Sequence, residues 1–158
     1  MSENKKNIEI IKMLQQHLDD VVELEKATSK CPWSKQSFLN EIANPISNNF
    51  VMLLQNKIIG YYGFQKVLEE AYINNIAITT AFQGKGYGKI LLEHLLTTCK
   101  NLNIKAVTLE VRVSNNVAIS LYQKYNFINA GKRKSFYPDG EDAYIFWYYG
   151  GDENIKLS

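Results

Sequence analysis

The chain has 158 residues, 46% hydrophobic and 12% aromatic, enough for one domain with a sizeable core. With 18 Lys and Arg against 16 Asp and Glu the net charge is +2, which gives no strong pull towards nucleic acid or a membrane surface. The two cysteines, Cys31 and Cys99, stand far apart in no metal or redox spacing, the polar start Met1–Asn7 carries no signal-like apolar run, and no segment approaches a membrane span, so the expected setting is soluble, reducing and cytoplasmic.

In chain order, Ile8 to Met13 predicts a first strand. Leu18, Val21, Val22 and Leu24 recur at helical spacing over His17 to Lys26. Ser34 is a candidate N-cap for a second helix through Ile42, with Phe38, Leu39 and Ile42 on one face. Phe50 to Leu54 and Ile58 to Phe64 predict a hairpin around Gln55-Asn56-Lys57, and Ala71 to Ile78 a further strand. The apolar-periodic segment from Tyr87 onward predicts a helix that turns Leu91, Leu92, Leu95, Leu96 and Cys99 inward. Ala106 to Val111 alternates as a strand, with Leu109 and Val111 on the face opposite Glu110. Asn115 or Asn116 can cap a helix over Val117 to Tyr125, and Asn126 suits the left-handed residue that ends it. Phe127 to Lys134 and Ala143 to Tyr148 are the last strands, with a turn at Tyr137-Pro138-Asp139-Gly140 between them. The order is mixed α+β in a single domain over 1–158, with tails at 1–6 and 150–158 expected to be mobile.

Between the strand ending at Ile78 and the helix from Tyr87 lies Gln83-Gly84-Lys85-Gly86-Tyr87-Gly88, followed by Lys89. Glycines let backbone N–H groups approach an anion, and a helix starting there adds the partial positive charge of its N-terminus. Such a turn can hold a phosphate or a pyrophosphate. It has no Gly-Lys-Ser/Thr closure and is not Gly-x-Gly-x-x-Gly, so neither a nucleotide P-loop nor a dinucleotide fingerprint is indicated. Taken alone, it reads equally as a glycine-rich strand-to-helix turn with solvated lysines.

These elements and the loop pattern Gln-x-x-Gly-x-Gly resemble the Gcn5-related N-acetyltransferase superfamily over nearly the whole ordered chain. Three separated segments are closer to one branch, the RimI proteins, which acetylate the N-terminal alanine of ribosomal protein eighteen of the small subunit. They are Cys31-Pro32-Trp33-Ser34; Leu109-Glu110-Val111-Arg112-Val113-Ser114-Asn115, continuing into Ala118-Ile119-Ser120-Leu121-Tyr122; and Phe136-Tyr137-Pro138 with Glu141-Asp142-Ala143. Asn126 stands where that branch has glycine, and the aromatic end Phe146-Trp147-Tyr148-Tyr149 is less typical.

The resemblance implies a twisted, mostly antiparallel sheet of about seven strands with about four helices. It implies acetyl-CoA as cosubstrate and no metal. The backbone of Ile76, Ala77 and Ile78 would take the pantetheine arm, and Gln83, Gly84, Lys85, Gly86, Tyr87, Gly88 and Lys89 the pyrophosphate, with Asn115 and Tyr122 also at the cofactor. It assigns Glu110 as proton acceptor and Tyr122 as proton donor in a direct transfer without an acyl-enzyme, and it puts Trp33 and Tyr137, with Glu110, beside the acceptor peptide. The acceptor would be a protein N-terminus, with no direct nucleic-acid or membrane contact.

The chemistry is consistent with a modest base. An α-amine of pKa roughly 7.7–8.0 is already about one-tenth free at neutral pH, whereas a lysine near 10.4 is almost wholly protonated. Burial of Glu110 would help it accept a proton. A phenol near pKa ~10 is a weaker acid than a thiol near ~8.5, so full transfer from Tyr122 to the leaving thiolate requires an acidified phenol. On pattern alone Glu110 reads equally as a solvent-facing strand residue, Tyr122 reads as core and Asn115 as a cap, while Trp33 and Tyr137 read equally as packing aromatics. Arg112, Lys132, Arg133 and Lys134 read as a solvated basic face. Glu141 and Asp142 read as exposed loop acids that could attract an amine, and His17 and His94 as helix-surface residues without a role. Two other functions fit the same residues: transfer to a lysine, polyamine or small-molecule amine, and a non-catalytic module that holds acyl-CoA.

Overall fold

Side-chain periodicity accounts for most of the elements. The structure, a computed structural model, describes residues 7–150. It contains strands β1 (Ile8–Lys12), β2 (Ser47–Leu54), β3 (Lys57–Val67), β4 (Glu70–Ile78), β5 (Ala106–Arg112), β6 (Ile128–Arg133) and β7 (Ala143–Tyr148). Its helices are α1 (Leu18–Thr28), α2 (Lys35–Ala43), α3 (Tyr87–Asn101) and α4 (Asn116–Lys124). The strands hydrogen-bond in the order β1-β2-β3-β4-β5-β7-β6. β1–β2, β2–β3, β5–β7 and β6–β7 pair antiparallel, and β4–β5 pairs parallel. Seven strands and four helices in a mixed α/β arrangement match the expected fold. Of the tails expected to be mobile, 1–6 and 151–158 lie outside the described residues.

Contacts gather into two compact units. Among the described residues, one comprises 7–65 with Asn74–Leu95, the other Lys66–Ile73 with 96–150.

In the first unit α1 buries Leu18, Val21, Val22 and Leu24 with Met13, Phe38, Val51 and Tyr61. Glu25 lies on the same helix and is also buried. A buried carboxylate needs donors, and Glu25 has two: the Trp33 backbone N–H at 2.9 Å and the Tyr61 hydroxyl. Ser34 caps α2 by accepting from the Ser37 N–H at 3.1 Å. The β2–β3 turn is Gln55-Asn56, with φ of 50° and 67°, the left-handed pair that matches the twist of a two-residue hairpin. Lys57, expected in the turn, already belongs to β3, and β2 begins three residues early at Ser47. Asn49 is buried opposite Gly63. A Cβ on Gly63 would lie 2.2 Å from the Asn49 Oδ1, so glycine leaves room for the amide.

Neither histidine lies free on a helix surface. His17 is buried in a short turn before α1 and its Nδ1 accepts from the Leu14 N–H at 2.9 Å. His94 is half-buried, with Nδ1 at 2.8 Å from the Tyr62 hydroxyl.

In the second unit β5 is buried along Ala106, Val107, Leu109 and Val111. Asn115 caps α4 by accepting from the Ala118 N–H at 3.2 Å, and Asn126 takes φ 69° beyond its end. Tyr122 projects from α4 among Phe127 and Phe146, with ring centroids 5.4 and 6.4 Å away. The β4–β5 ladder pairs Glu70↔Ala106, Ala71↔Val107 and Tyr72↔Thr108.

Candidate active site

The first unit carries the candidate cofactor elements. Ile78 ends β4, and a 3₁₀ turn over Thr80–Phe82 leads into the glycine loop. Gly84 and Gly86 have φ of 75° and 88°, a region open to glycine at little cost. A Cβ placed on Gly84 meets nothing within 4 Å. The loop from Gln83 to Gly86 is exposed, and α3 begins directly behind it at Tyr87. Open space, left-handed glycines and a long helix's first turn fit a pyrophosphate. Lys85 stands over the Phe82 ring at 5.4 Å. Gln83 turns inward instead: its Nε2 donates to the Ile78 carbonyl at 2.9 Å, tying the loop to the strand end. Tyr87 is buried and packs edge-on against Phe82 at 5.8 Å, which anchors the start of the helix.

Gly60, on β3, lets β4 approach closely. A Cβ there would stand 2.6 Å from the Ile78 Cδ1 and 2.9 Å from the Ala77 carbonyl. The placement of Ala77 and Ile78 thus depends on an absent side chain, a dependence invisible in the local pattern around them.

Trp33 is half-buried, its ring 5.3 Å from Phe38 and packed against the first unit's core. Cys31 is half-buried and Cys99 buried, where desolvation pushes the Cys99 thiol up to about 12. No group of three or more His, Cys, Asp or Glu among the described residues could hold a metal ion.

The second unit gathers the candidate catalytic groups. The Glu110 side chain is only 6% exposed and pairs with the Arg133 Nε at 3.2 Å. Its other oxygen accepts from the Tyr72 hydroxyl. Burial, then Glu110, raises the Tyr72 phenol well above its ordinary value. Tyr122 is buried, and desolvation followed by the neighbouring Tyr137 raises its phenol too. The phenol is therefore not acidified, and a full proton donation from it to a thiolate runs uphill.

Tyr137 is held from one side by Arg112, whose Cζ lies 4.0 Å from the ring centroid. The Arg112 Nη1 donates to Asp139 at 3.0 and 2.8 Å and to Glu141 at 2.8 Å. Glu141 also accepts the Ser114 N–H at 3.1 Å, and Asp142 the Ser135 N–H at 2.8 Å. Burial pushes the Tyr137 phenol up to about 12; Arg112 pulls against this, and Glu110, Glu141 and Asp139 add to it. Of the expected solvated basic face, Lys132, Arg133 and Lys134 are exposed and only Arg112 departs from it. Arg112 is largely covered and doubly paired, Arg133 is on Glu110, and Lys132 lies over the Tyr144 ring at 5.8 Å. Glu141 and Asp142 brace the loop. Sequence reasoning missed Tyr72, Glu25 and the bracing by Arg112, whose partners lie far along the chain.

Residues 18–127 match the model of the acetyltransferase (GNAT) family. The ribosomal protein bS18-alanine N-acetyltransferase of Escherichia coli K12 is 36% identical over 125 residues, covering 77% of this chain and 84% of that protein. The protein of the same name from Haemophilus ducreyi is 36% identical over 141 residues, 87% of this chain and 97% of that protein. The crystal structure of the ribosomal-protein-S18-alanine N-acetyltransferase from Escherichia coli superimposes with a TM-score of 0.85 at 31% identity, covering 96% of this chain and 99% of that one.

Proposed function

We infer that this chain, which belongs to the GNAT acetyltransferase family and is an N-acetyltransferase, moves the acetyl group of acetyl-CoA to the α-amino group of a protein. The acceptor we assign is the N-terminal alanine of ribosomal protein bS18. One observation carries this reading: the family match over 18–127 takes in the glycine loop, Glu110 and Tyr122 together, and the named relatives act on that alanine.

Acetyl-CoA supplies a thioester-activated acetyl group. The chain's own residues do the rest. N–H groups of Gly84 to Lys89 hold the pyrophosphate, and the backbone of Ile76 to Ile78 orients the pantetheine arm and polarises the acyl carbonyl. Gln83 fixes the loop against Ile78. Glu110 accepts the amine's proton, worth typically 10²–10⁴-fold for a positioned base. Tyr122 donates a hydrogen bond to the leaving sulfur and keeps its proton, in line with its raised phenol. Asn115 caps α4 and so fixes the helix that presents Tyr122. Trp33 and Tyr137 border the acceptor. A modest base suffices because an α-amine is partly free at neutral pH. No helix among the described residues is long and apolar enough to cross a membrane, and the reading places the work in the cytoplasm on a ribosomal protein.

Comparing protein N-termini by mass spectrometry in cells with and without the gene tests this. The expected result is loss of acetylation on bS18 alone or on a few alanine starts. An unchanged set of N-termini contradicts it.

A further inference from the structure

Residues 29–34 join α1 to α2 and carry Trp33. Pro32, just before it, has a fixed φ and no N–H. The Trp33 N–H donates to the Glu25 Oε2 at 2.9 Å, eight positions back on α1. The Tyr61 hydroxyl, from β3, donates to Oε1. The Asn75 side chain, from β4, is hydrogen-bonded to the same hydroxyl. The circuit closes through rings: Tyr61 meets Phe38 edge-on at 5.7 Å, and Phe38 lies 5.3 Å from Trp33. Glu25, Phe38 and Tyr61 are buried, whereas Trp33 is half-buried and Pro32 exposed. Burying a carboxylate is costly, and a methionine would fill the same volume without that cost. What the carboxylate adds is two hydrogen-bond acceptors, one aimed at a backbone N–H and one at a phenol.

We propose that Glu25 is a positioning residue for the acceptor peptide: it fixes the Trp33 backbone and so sets the indole that the peptide meets. Glu25 moves no proton and touches no reacting atom; it acts through Trp33. Tyr61 keeps the carboxylate turned towards the Trp33 N–H. Burial and then the Glu25 charge raise the Tyr61 phenol above its ordinary value, so the hydroxyl stays a donor. Asn75 holds Tyr61 from β4 independently of Glu25. A change at Glu25 therefore leaves the cofactor end of β4, Ile76 to Ile78, in place. The inference rests on the reading above, in which Trp33 borders the acceptor, but it needs only a peptide acceptor and no particular amine.

The test compares wild type with Glu25→Met, Glu25→Gln and Tyr61→Phe on an alanine-first peptide, with peptide and acetyl-CoA varied in turn. Glu25→Met keeps the bulk and removes both acceptor oxygens. Its peptide KM should rise about 10-fold, the scale of one lost hydrogen bond to a charged group, while kcat and the acetyl-CoA KM stay within about 2-fold. Glu25→Gln leaves one oxygen for the Trp33 N–H and should bring the peptide KM back to within about 3-fold of wild type. Tyr61→Phe keeps the ring against Phe38 and should raise the peptide KM about 3-fold with the same split, which decides the matter if Glu25→Met does not fold. The chain's two tryptophans, replaced by fluorotryptophan, report position. Glu25→Met should shift the fluorine resonance of Trp33 and leave that of Trp147 in place. An unchanged peptide KM, a Glu25→Gln variant no better than Glu25→Met, or a fall in kcat with both resonances moving overturns the inference and marks Glu25 as a core residue only. Failure of the α-amine reading shows separately, as faster turnover of lysine side chains by wild type. In that case the KM for a lysine peptide decides the role of Glu25 by the same criterion.

Discussion

The guanidinium of Arg112 stacks on the ring of Tyr137, with 4.0 Å between Cζ and the ring centroid. The same group also holds Asp139 and Glu141. One residue at the end of β5 therefore sets the position of an aromatic assigned to the acceptor.

Replacing that brace should alter acceptor binding more than chemistry. Arg112→Lys keeps a charge but loses the planar group that both stacks and pairs. We expect the peptide KM to rise by roughly 10-fold, the factor that about 1.4 kcal/mol brings, with kcat changed by less than about 3-fold and acetyl-CoA affinity unchanged. Steady-state kinetics with each substrate varied checks this. A fall confined to kcat contradicts it.

Gly60 makes the opposite case, a position where adding an atom does harm. Its Cβ would clash with the Ala77 carbonyl, which is backbone and cannot swing aside as the Ile78 Cδ1 can. Gly60→Ala should destabilise the protein by about 1–3 kcal/mol, as overpacked sites do, and should weaken acetyl-CoA binding through the displaced end of β4. Denaturant unfolding and calorimetric titration measure the two effects. Unchanged cofactor affinity would remove the link between Gly60 and the pantetheine strand.

His94 gives the stability a pH dependence. Desolvation lowers its pKa in the fold below the ordinary 6.5. The unfolded chain then binds more protons than the folded one as pH falls through 6.5, so stability rises with pH across that window and declines below it. The His94 contribution is fully present above pH 6.5 and diminishes as pH drops towards the folded-state value. His94→Gln should flatten this part of the Tm profile between pH 7 and pH 5. A profile of unchanged slope rules His94 out as its source.

The cysteines should be dispensable for transfer. With its thiol near 12, Cys99 holds about 10⁻⁵ of its population as thiolate at pH 7. The double variant Cys31→Ser, Cys99→Ala should turn over within about 3-fold of wild type, since direct attack by the amine forms no acyl-enzyme and needs no thiol nucleophile. An acetylated cysteine trapped by rapid acid quench would contradict direct transfer.

Local signals account for what could be read in advance. Ser34 and Asn115 announce their helices by capping chemistry, Asn126 ends one in the left-handed region, and the glycine loop stands between its strand and helix. These features depend on residues three or four apart. The missed features depend on residues far apart. Tyr72 meets Glu110 across 38 positions, Tyr61 meets Glu25 across 36, and Arg112 meets Asp139 across 27. No local periodicity encodes such pairs, and a tyrosine in β4 or an arginine ending β5 looks like any exposed polar residue. The early start of β2 has the same origin. Ser47, Asn48 and Asn49 have poor strand propensity, and pairing with Gln65, Phe64 and Gly63 overrides it.

The most direct measurement is a comparison of kcat/KM, with acetyl-CoA saturating, on two versions of one alanine-first peptide. One has its lysines blocked and its α-amine free; the other has its α-amine blocked and its lysines free. The account predicts turnover of the first at least about 10²-fold above the second, following the difference in free amine at neutral pH. Equal turnover of the two, or preference for the second, would contradict it.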